Sequence, residues 1–380
     1  MTTTDHPVAI VGAGYTELTR RPERSEADLA VEACGRAAED AGLDIGDLDG
    51  INLQVHHDPP PDTPAIARRL GMGDTRWSVD GGLGVGALAV AAKAVDAGLC
   101  RAAVVCKIMN TVAPVMTPVI DPETGGVPGP GQFEVPYGLG YTMQRVGFMM
   151  RRWMHRYGIT EEQVGWLTVV ERRHAMLNPR AIFKEPLTLE DYCSSRWIAE
   201  PVRLLDCDYP VNGAFAYVVT RGDIARRVSP NPVTILGWAG EGIGDMIAHL
   251  RPEAGDGLNR WAVEAYRDTG LSPEDMDVWM LYDGFSFLAM QWMEQLGLVG
   301  PGESGAYVEG GERISFNGEH PVNTHGGQLS EGRLHAAGHI LEAFQQVRGT
   351  AGARQAARAD HAIVSSAFPY NGGVAILGRR

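Results

Sequence analysis

One pattern of residues occurs twice in this chain. The segment AVEACGRAAEDAGLDIGDLDGINLQV begins at Ala30, and the segment AVEAYRDTGLSPEDMDVWMLYDG begins at Ala262. Each runs from Ala-Val-Glu-Ala through a helical stretch to a Gly-Leu stop, an acidic turn and a strand. A strand with glycine precedes each segment, VAIVGAG in the first case and VTILGWAG in the second. An internal repeat of about two hundred residues is too long for a solenoid, so it predicts two related halves.

Strands alternate with helices in both halves, which predicts an α/β fold with mixed or mostly parallel strands. The opening PVAIVGAG, residues 7–14, is predicted to be a buried strand that ends in a glycine turn, and a helix is predicted over residues 25–41. Prolines in ARRVSPNPV separate the halves, so we expect one half over residues 1–228 and the other over residues 229–380. An insertion over about 107–205 interrupts the first half and is typical of a cap or substrate-shaping region.

Composition excludes several classes of function. The formal net charge is −14, whereas a nucleic-acid-binding surface needs clustered Lys and Arg. No apolar run approaches the roughly 18 residues that cross a bilayer, and the first residues lack the layout of a signal peptide, so we expect a cytoplasmic protein with no membrane-bound part. The five cysteines have no CxxC spacing, which predicts neither a disulfide framework nor a zinc site. His56-His57-Asp58 precedes a proline-rich loop, and we expect it to be solvated or at an interface.

The repeat, the insertion and the glycine pattern resemble the thiolase superfamily over essentially the whole chain. This resemblance implies two mixed sheets with helices between and outside them, in stacked α/β/α/β/α layers. Thiolases carry four marked catalytic positions, and the neighbouring residues locate each of them here. The stretches DGGLGVGA, YDGF, EGRL and FPYNGG place at these positions Leu83, Tyr282, Arg333 and Tyr370. Because a leucine cannot attack a thioester, Leu83 excludes the acyl-cysteine intermediate of thiolases.

Three stretches, LLDCDYPVNGAFAYVVT, YDGFSF and NTHGGQLSEGRLH, are similar to the thiolase-like lipid-transfer-protein group. Some members of that group are aldolases that split a β-hydroxyacyl-CoA of a steroid side chain while bound to an OB-fold partner with a zinc ribbon. The resemblance implies a retro-aldol carbon–carbon lyase that forms a homodimer or a heterotetramer with such a partner. It also implies no cofactor in this chain, since zinc would belong to the partner. Two alternatives stay open: a non-catalytic acyl-CoA-binding scaffold, and an acyltransferase that uses another cysteine.

A retro-aldol reaction needs a base for the hydroxyl group, stabilisation of the thioester enolate, and an acid for the departing carbon. Tyr282 is the first candidate for proton transfer, because a phenol pKa near ~10 falls beside a cation, and Arg333 could be that cation. The aldolases carry a second tyrosine at the position of Arg333. His335 is the nearest conventional acid-base residue, and it would share a helix face with His339 if LHAAGHILEAF is helical throughout. Tyr282 could equally be a core tyrosine, and His335 a helix-start histidine bonded to a carbonyl group.

Further residues are expected around the thioester or the CoA arm. His325 lies on a glycine loop that approaches the active centre in thiolases, and the following two glycines permit a tight turn. Tyr370 is either a catalytic group or a wall of the pocket, and the amides that follow it could form an oxyanion hole. No metal site is predicted, since HAAGH lacks the glutamate of a zincin motif. The expected substrate contacts are His325, Gly326, Gly327, Gly372, Gly373, Asp283, which orients rather than titrates, and Leu83.

Overall fold

The computed structural model describes residues 7–54, 62–110, 126–127, 129–240 and 257–379. His56-His57-Asp58 lies outside the described residues. The helices are α1 Glu26–Asp40, α2 Thr63–Leu70, α3 Val85–Asp96, α4 Thr142–Tyr157, α5 Glu161–Ala175, α6 Leu189–Ser194, α7 Gly222–Val228, α8 Arg260–Thr269, α9 Ser286–Gln295, α10 Ser304–Val308, α11 Gly327–Ser330 and α12 Ala337–Arg348. The strands are β1 Val8–Tyr15, β2 Gly50–Gln54, β3 Trp77–Asp80, β4 Ala102–Asn110, β5 Trp197–Ala199, β6 Val202–Arg203, β7 Asn212–Arg221, β8 Val233–Gly240, β9 Val278–Met280, β10 His361–Ser366 and β11 Gly373–Gly378.

Nine of the described strands form one hydrogen-bonded sheet in the order β3-β2-β4-β7-β1-β8-β11-β10-β9. Four strands of each half have the same pairing, and the first half has β3 as an additional strand parallel to β2 at the edge of the sheet. In the first half β2 and β4 are parallel, and β7 and β1 follow in antiparallel pairs; in the second half β9 and β10 are parallel, and β11 and β8 follow in antiparallel pairs. The halves meet where β1 pairs with β8 through Ala9–Thr234 and Ile10–Val233. The predicted repeat is therefore confirmed at the level of strand order and direction.

The resemblance implied two sheets, whereas the described strands of both halves are joined into one sheet through β1 and β8. The helices lie outside and between the two halves of this sheet, as expected. Helix α1 packs outside the first half on β1 and β7, and α8 packs outside the second half on β8 and β11. Helices α3 and α12 both contact strands of the two halves, so they form the layer between them. The central core accordingly mixes buried residues of both halves, such as Val105 and Phe215 with Val364 and Leu377. No helix in the described part of the chain is long and apolar enough to cross a membrane.

The glycines of the opening strand correct one prediction. Gly12 and Gly14 lie within β1 and not in a turn after it. A β-carbon at Gly12 would collide with the carbonyl oxygen of Ala37, and one at Gly14 would collide with that of Ala33. Both glycines therefore allow α1 to lie directly against β1, which explains why the sequence has them there.

The insertion between β4 and β7 packs on the other half of the molecule. Its helix α5 contacts α9, α10 and α11, all of which belong to the second half. Helix α4 buries Met149, Met150 and Trp153, and the Trp153 ring lies 6.1 Å from that of Phe287 in α9. The insertion thus covers the region that follows β9, where Tyr282 lies.

Candidate active site

Four loops meet at the carboxyl ends of β9 and β10. The backbone N–H of Tyr282, just after β9, donates to Ser365 Oγ in β10 at 2.9 Å. A β-carbon at Gly84, the residue before α3, would lie 2.8 Å from Ser366 Cβ and 2.9 Å from Ala336 Cβ. The start of α3, the loop before α12 and the end of β10 are therefore in contact. Leu83 lies half-buried, two residues before α3 begins.

Tyr282 is buried and folds back over its own loop. A β-carbon at Gly284 would lie 2.7 Å from Tyr282 Cε1 and 2.9 Å from its hydroxyl oxygen, so only glycine leaves room for this ring position. Burial raises the pKa of Tyr282 above its ordinary value and the charge of Asp208 adds to this, whereas Gln328 and Arg333 act in the opposite direction. Arg333 thus acts on the Tyr282 pKa in the predicted direction, but desolvation outweighs the cation, so the expected net fall of this pKa does not occur. Tyr282 holds its proton at neutral pH.

Arg333 contacts a carboxylate that the sequence did not single out. Its Nη1 lies 3.4 Å from Asp208 Oδ1, and its backbone N–H donates to the Tyr209 carbonyl oxygen at 2.8 Å. Burial raises the pKa of Asp208 to about 7 and Asp283 adds to this, although Arg333 opposes it. Asp208 stood within the LLDCDYP stretch, but 125 positions separate it from Arg333, so only the fold brings the pair together.

Asp283 is held as a carboxylate by contacts with the neighbouring helices. Burial opposes its ionisation, yet His339 and hydrogen bonds from the Gln328 backbone and the Glu171 side chain hold its pKa below the ordinary value. His339 Nε2 lies 3.0 Å from Asp283 Oδ1, and Leu329 N–H donates to Oδ2 at 3.0 Å. Asp283 thus links the loop after β9 to α11 and α12. A β-carbon at Gly327, where φ is +62°, would collide with Asp283 Oδ2, which explains the second glycine of the NTHGG loop.

The insertion contributes a second acid to this cluster. Burial and the Asp283 charge raise the pKa of Glu171, in α5, well above its ordinary value. Glu171 therefore keeps its proton and bonds to the Asp283 carboxylate, while Asn323 Nδ2 donates to Glu171 Oε1 at 2.7 Å. Sequence reasoning missed Glu171, because a glutamate inside an amphipathic helix carries no signal of such a role.

Aromatic rings form a row behind Tyr282. The ring of His339 stacks on that of Tyr282 at 6.4 Å, and the ring of His325 lies 4.6 Å from that of His339. His325 is fully buried, and desolvation lowers its pKa to about 4, so it is neutral. The structure places it behind His339 and away from any surface that a CoA arm could reach.

The histidine pair of the loop before α12 is not on one helix face. His335 and Ala336 have positive φ values of +49° and +67°, and α12 begins only at Ala337. The expectation that His335 and His339 share a face is wrong, because the left-handed residues turn the chain between them. Among the described residues, no three His, Cys, Asp or Glu side chains are grouped so that they could hold a metal ion.

The turn between β10 and β11 was expected to supply an oxyanion hole, but its described contacts are mainly packing contacts. Tyr370 is half-buried, and its ring lies 5.4 Å from that of Phe368. The Asn371 N–H already donates to the Phe368 carbonyl oxygen at 3.1 Å, which contradicts its expected share in an oxyanion hole. A β-carbon at Gly372 would collide with the Ser366 carbonyl oxygen, and Gly373 lies in β11. These glycines permit close approach of the two strands.

The comparisons with known proteins agree with this architecture. Residues 252–378 match the family model described as thiolase C-terminal domain-like. The chain is 35% identical to 17-hydroxy-3-oxo-4-pregnene-20-carboxyl-CoA lyase of Mycobacterium tuberculosis, over 94% of this chain and 95% of that protein. It is 34% identical to a steroid side-chain-cleaving aldolase of Thermomonospora curvata, over 90% of each chain.

Solved structures give the same result. An Ltp2-ChsH2(DUF35) aldolase superimposes with a TM-score of 0.87 at 33% identity, and the alignment covers 98% of each chain. A human mitochondrial 3-ketoacyl-CoA thiolase superimposes with a TM-score of 0.68 at 14% identity, which supports the fold alone. The chain belongs to the thiolase superfamily, in the thiolase-like group that includes the steroid side-chain-cleaving aldolases.

Proposed function

We propose that this chain is a carbon–carbon lyase that cleaves the side chain of a steroid β-hydroxyacyl-CoA by a retro-aldol reaction. The observation that carries the proposal is the cluster of Tyr282, Arg333 and Asp208 at the place where thiolases use a cysteine and a histidine, with Leu83 in place of the nucleophile. The two relatives that are 34–35% identical to the chain are both named for this kind of cleavage.

The net reaction breaks one carbon–carbon bond and moves one proton from the β-hydroxyl group to the α carbon of the substrate. The β-hydroxyl group loses its proton and becomes a carbonyl group, the bond between the α and β carbons breaks, and the α carbon gains a proton. No covalent intermediate and no cofactor are required of this chain. Arg333 is suited to hold the thioester oxygen, since its buried Nε has no hydrogen-bond partner among the described residues. Tyr282 holds its proton and is suited to donate it to the α carbon.

The proposal includes a partner and a place in the cell. The solved relative is an aldolase together with a DUF35 protein, and we extend this to an OB-fold partner with a zinc ribbon for the present chain. A homodimer, or a heterotetramer with that partner, in the cytoplasm completes the proposal. A non-catalytic acyl-CoA-binding scaffold and a cysteine acyltransferase are the alternatives that the test below separates.

The test is a product analysis by mass spectrometry. The purified chain, with and without a co-expressed OB-fold partner, is given an acyl-CoA that carries a tertiary β-hydroxyl group. We expect a ketone and a shortened acyl-CoA, and a loss of turnover of at least about 100-fold in Tyr282→Phe, because a positioned proton donor contributes that much or more. Tyr266→Phe is the matched control, since it removes a buried hydroxyl that donates to the Leu296 carbonyl oxygen at 2.9 Å outside the site.

Other outcomes identify the alternatives. Normal turnover in Tyr282→Phe would contradict the role of Tyr282. Saturable binding of the acyl-CoA without any product would indicate the scaffold, and an acyl mass gain on a cysteine would indicate the acyltransferase.

A further inference from the structure

The active-site cluster contains one carboxylate whose position suits acid-base chemistry on the substrate. Asp208 lies in the loop before β7, and its backbone N–H donates to the Gly284 carbonyl oxygen at 3.3 Å. The ring of Tyr282 folds over the same Gly284. The Asp208 backbone and the Tyr282 phenol therefore both lie next to Gly284. Arg333 contacts Asp208, and its charge also acts on Tyr282.

The carboxylate of Asp208 is poorly neutralised. Its contact with Arg333 is a single Nη1–Oδ1 distance of 3.4 Å, which is longer than a charge-assisted hydrogen bond. Its side chain is 9% exposed, so it is nearly desolvated but can still be reached. A carboxylate in such a place has a raised pKa, and that of Asp208 is about 7, the range that suits a group which takes up and returns a proton at neutral pH.

From this geometry we propose that Asp208 is the catalytic base that removes the β-hydroxyl proton. This chain needs such a base because Arg333 stands where the related aldolases have a second tyrosine. The proposal rests on the retro-aldol function proposed above. It assigns to a loop residue of the first half a role that neither the thiolase positions nor Tyr282 fulfils.

The proton balance closes within this cluster. Asp208 takes the hydroxyl proton as the carbon–carbon bond breaks, which leaves a ketone and the thioester enolate. Tyr282 then protonates the α carbon and becomes a phenolate. Because the pKa of Tyr282 is raised and that of Asp208 is about 7, the phenolate regains its proton from the Asp208 carboxyl group. The enzyme returns to its starting state and the substrate has gained and lost one proton.

Several charged or titratable groups face Asp208 or its partner from neighbouring elements. Tyr282 and Asp283 face it from the loop after β9, and Arg333 faces it from the loop before α12. Lys107, in β4, is buried and faces Arg333, and burial lowers its pKa to about 7. Ionisation of Lys107 would therefore change the activity over the same pH range as ionisation of Asp208, so the experiment includes a variant of each residue.

The test compares variants of Asp208 in the full chain with its partner, on the same acyl-CoA substrate. We expect Asp208→Asn to bind the substrate with an unchanged Kd and to lose at least about 100-fold in kcat, and Asp208→Glu to restore part of the loss. The wild-type kcat/KM should rise as the pH passes about 7, since the carboxylate is the active form. This rise should be absent in the residual activity of Asp208→Asn and retained in Lys107→Arg, which keeps its charge.

Asp49→Asn is the matched control, because Asp49 is a buried carboxylate that accepts from the backbone N–H groups of Arg101 and Ala102 in the first half. It should keep the wild-type kcat. Full activity with an unchanged pH profile in Asp208→Asn would overturn the role of Asp208 alone, and so would joint loss of binding and turnover that Asp208→Glu does not restore. Absence of cleavage by the wild-type complex would overturn the proposed function, and the role of Asp208 with it.

Discussion

Tyr282 depends on a glycine two positions further along the chain. The ring occupies the space that a β-carbon on Gly284 would need, at 2.7 Å from Cε1. The same glycine accepts the Asp208 backbone N–H, so it joins the phenol to the carboxylate. The YDGF stretch is therefore a unit in which the glycine positions both polar residues.

Gly284→Ala should lower kcat by at least about tenfold while the protein remains folded, because a shift of about 1 Å in a catalytic group can cost still more. The φ angle of Gly284 is not in the left-handed region, so the added methyl group acts on the tyrosine ring and not on the backbone. The measurement is steady-state kinetics together with thermal unfolding.

Gly35→Ala in α1 is the control for that substitution. A β-carbon there would meet nothing within 4 Å, so the variant should keep its kcat and gain about 0.5–1 kcal/mol from the better helix former. Wild-type kinetics in Gly284→Ala would show that the tyrosine ring is free to move, contrary to the packing described above.

At the scale of elements, an aromatic contact joins helix α4 of the insertion to the second half. Trp153 in α4 packs against Phe287 and donates from Nε1 to Glu294 Oε2 at 3.4 Å, and both partners lie in α9. Because α9 begins just after the YDGF loop, this contact also fixes the cover over Tyr282. Loss of the tryptophan side chain should therefore reduce the stability of the protein, and through the loosened cover it should also affect the position of Tyr282.

Trp153→Ala should reduce the free energy of unfolding by about 3–5 kcal/mol, the usual cost of removing a buried tryptophan. Phe148→Ala on the same helix is the control, because that side chain is 53% exposed and its loss should change stability by less than about 0.5 kcal/mol. Urea unfolding of the three proteins measures the difference. Equal stability of Trp153→Ala and wild type would mean that α4 does not pack on α9.

The sequence predicted the secondary-structure elements better than the residues of the candidate active site. The repeated Ala-Val-Glu-Ala pattern predicted an α/β fold of two related halves, because hydrophobic periodicity is local. The strand order was not predicted, since it depends on pairing between distant segments. The left-handed turn at His335 and the close approach at Gly12 were not predicted, since each depends on a neighbouring element. Asp208 and Glu171 were missed for the same reason: their pKa values are raised by burial, and burial is a property of the folded chain.

The whole molecule should show the pairing of Glu171 and Asp283 in its dependence on pH. Glu171 has a raised pKa in the folded state, so above the unfolded pKa of about 4.3 the folded chain keeps a proton that the unfolded chain releases. This contribution makes the protein less stable as the pH rises. Asp283 has a lowered pKa, so its contribution is lost as the pH falls below about 3.9.

Glu171→Gln should be at least as stable as wild type at neutral pH, and its stability should fall less between pH values of about 5 and 8. The amide keeps the hydrogen bonds to Asn323 and Asp283 but cannot titrate. Glu162→Gln, at an exposed position of the same helix, should follow the wild-type curve. A strongly destabilised Glu171→Gln with the wild-type slope would indicate that Glu171 is ionised. Urea unfolding across this pH range is the measurement.

The insertion belongs to the first half of the chain but packs on helices of the second half, which are synthesised later. Helix α5 leaves the ribosome before α9, α10 and α11, against which it packs. Until these three helices have emerged, the apolar face of α5 lacks their cover. The nascent first half therefore exposes apolar surface during part of translation, and we expect chaperones to bind this surface until the second half has been made.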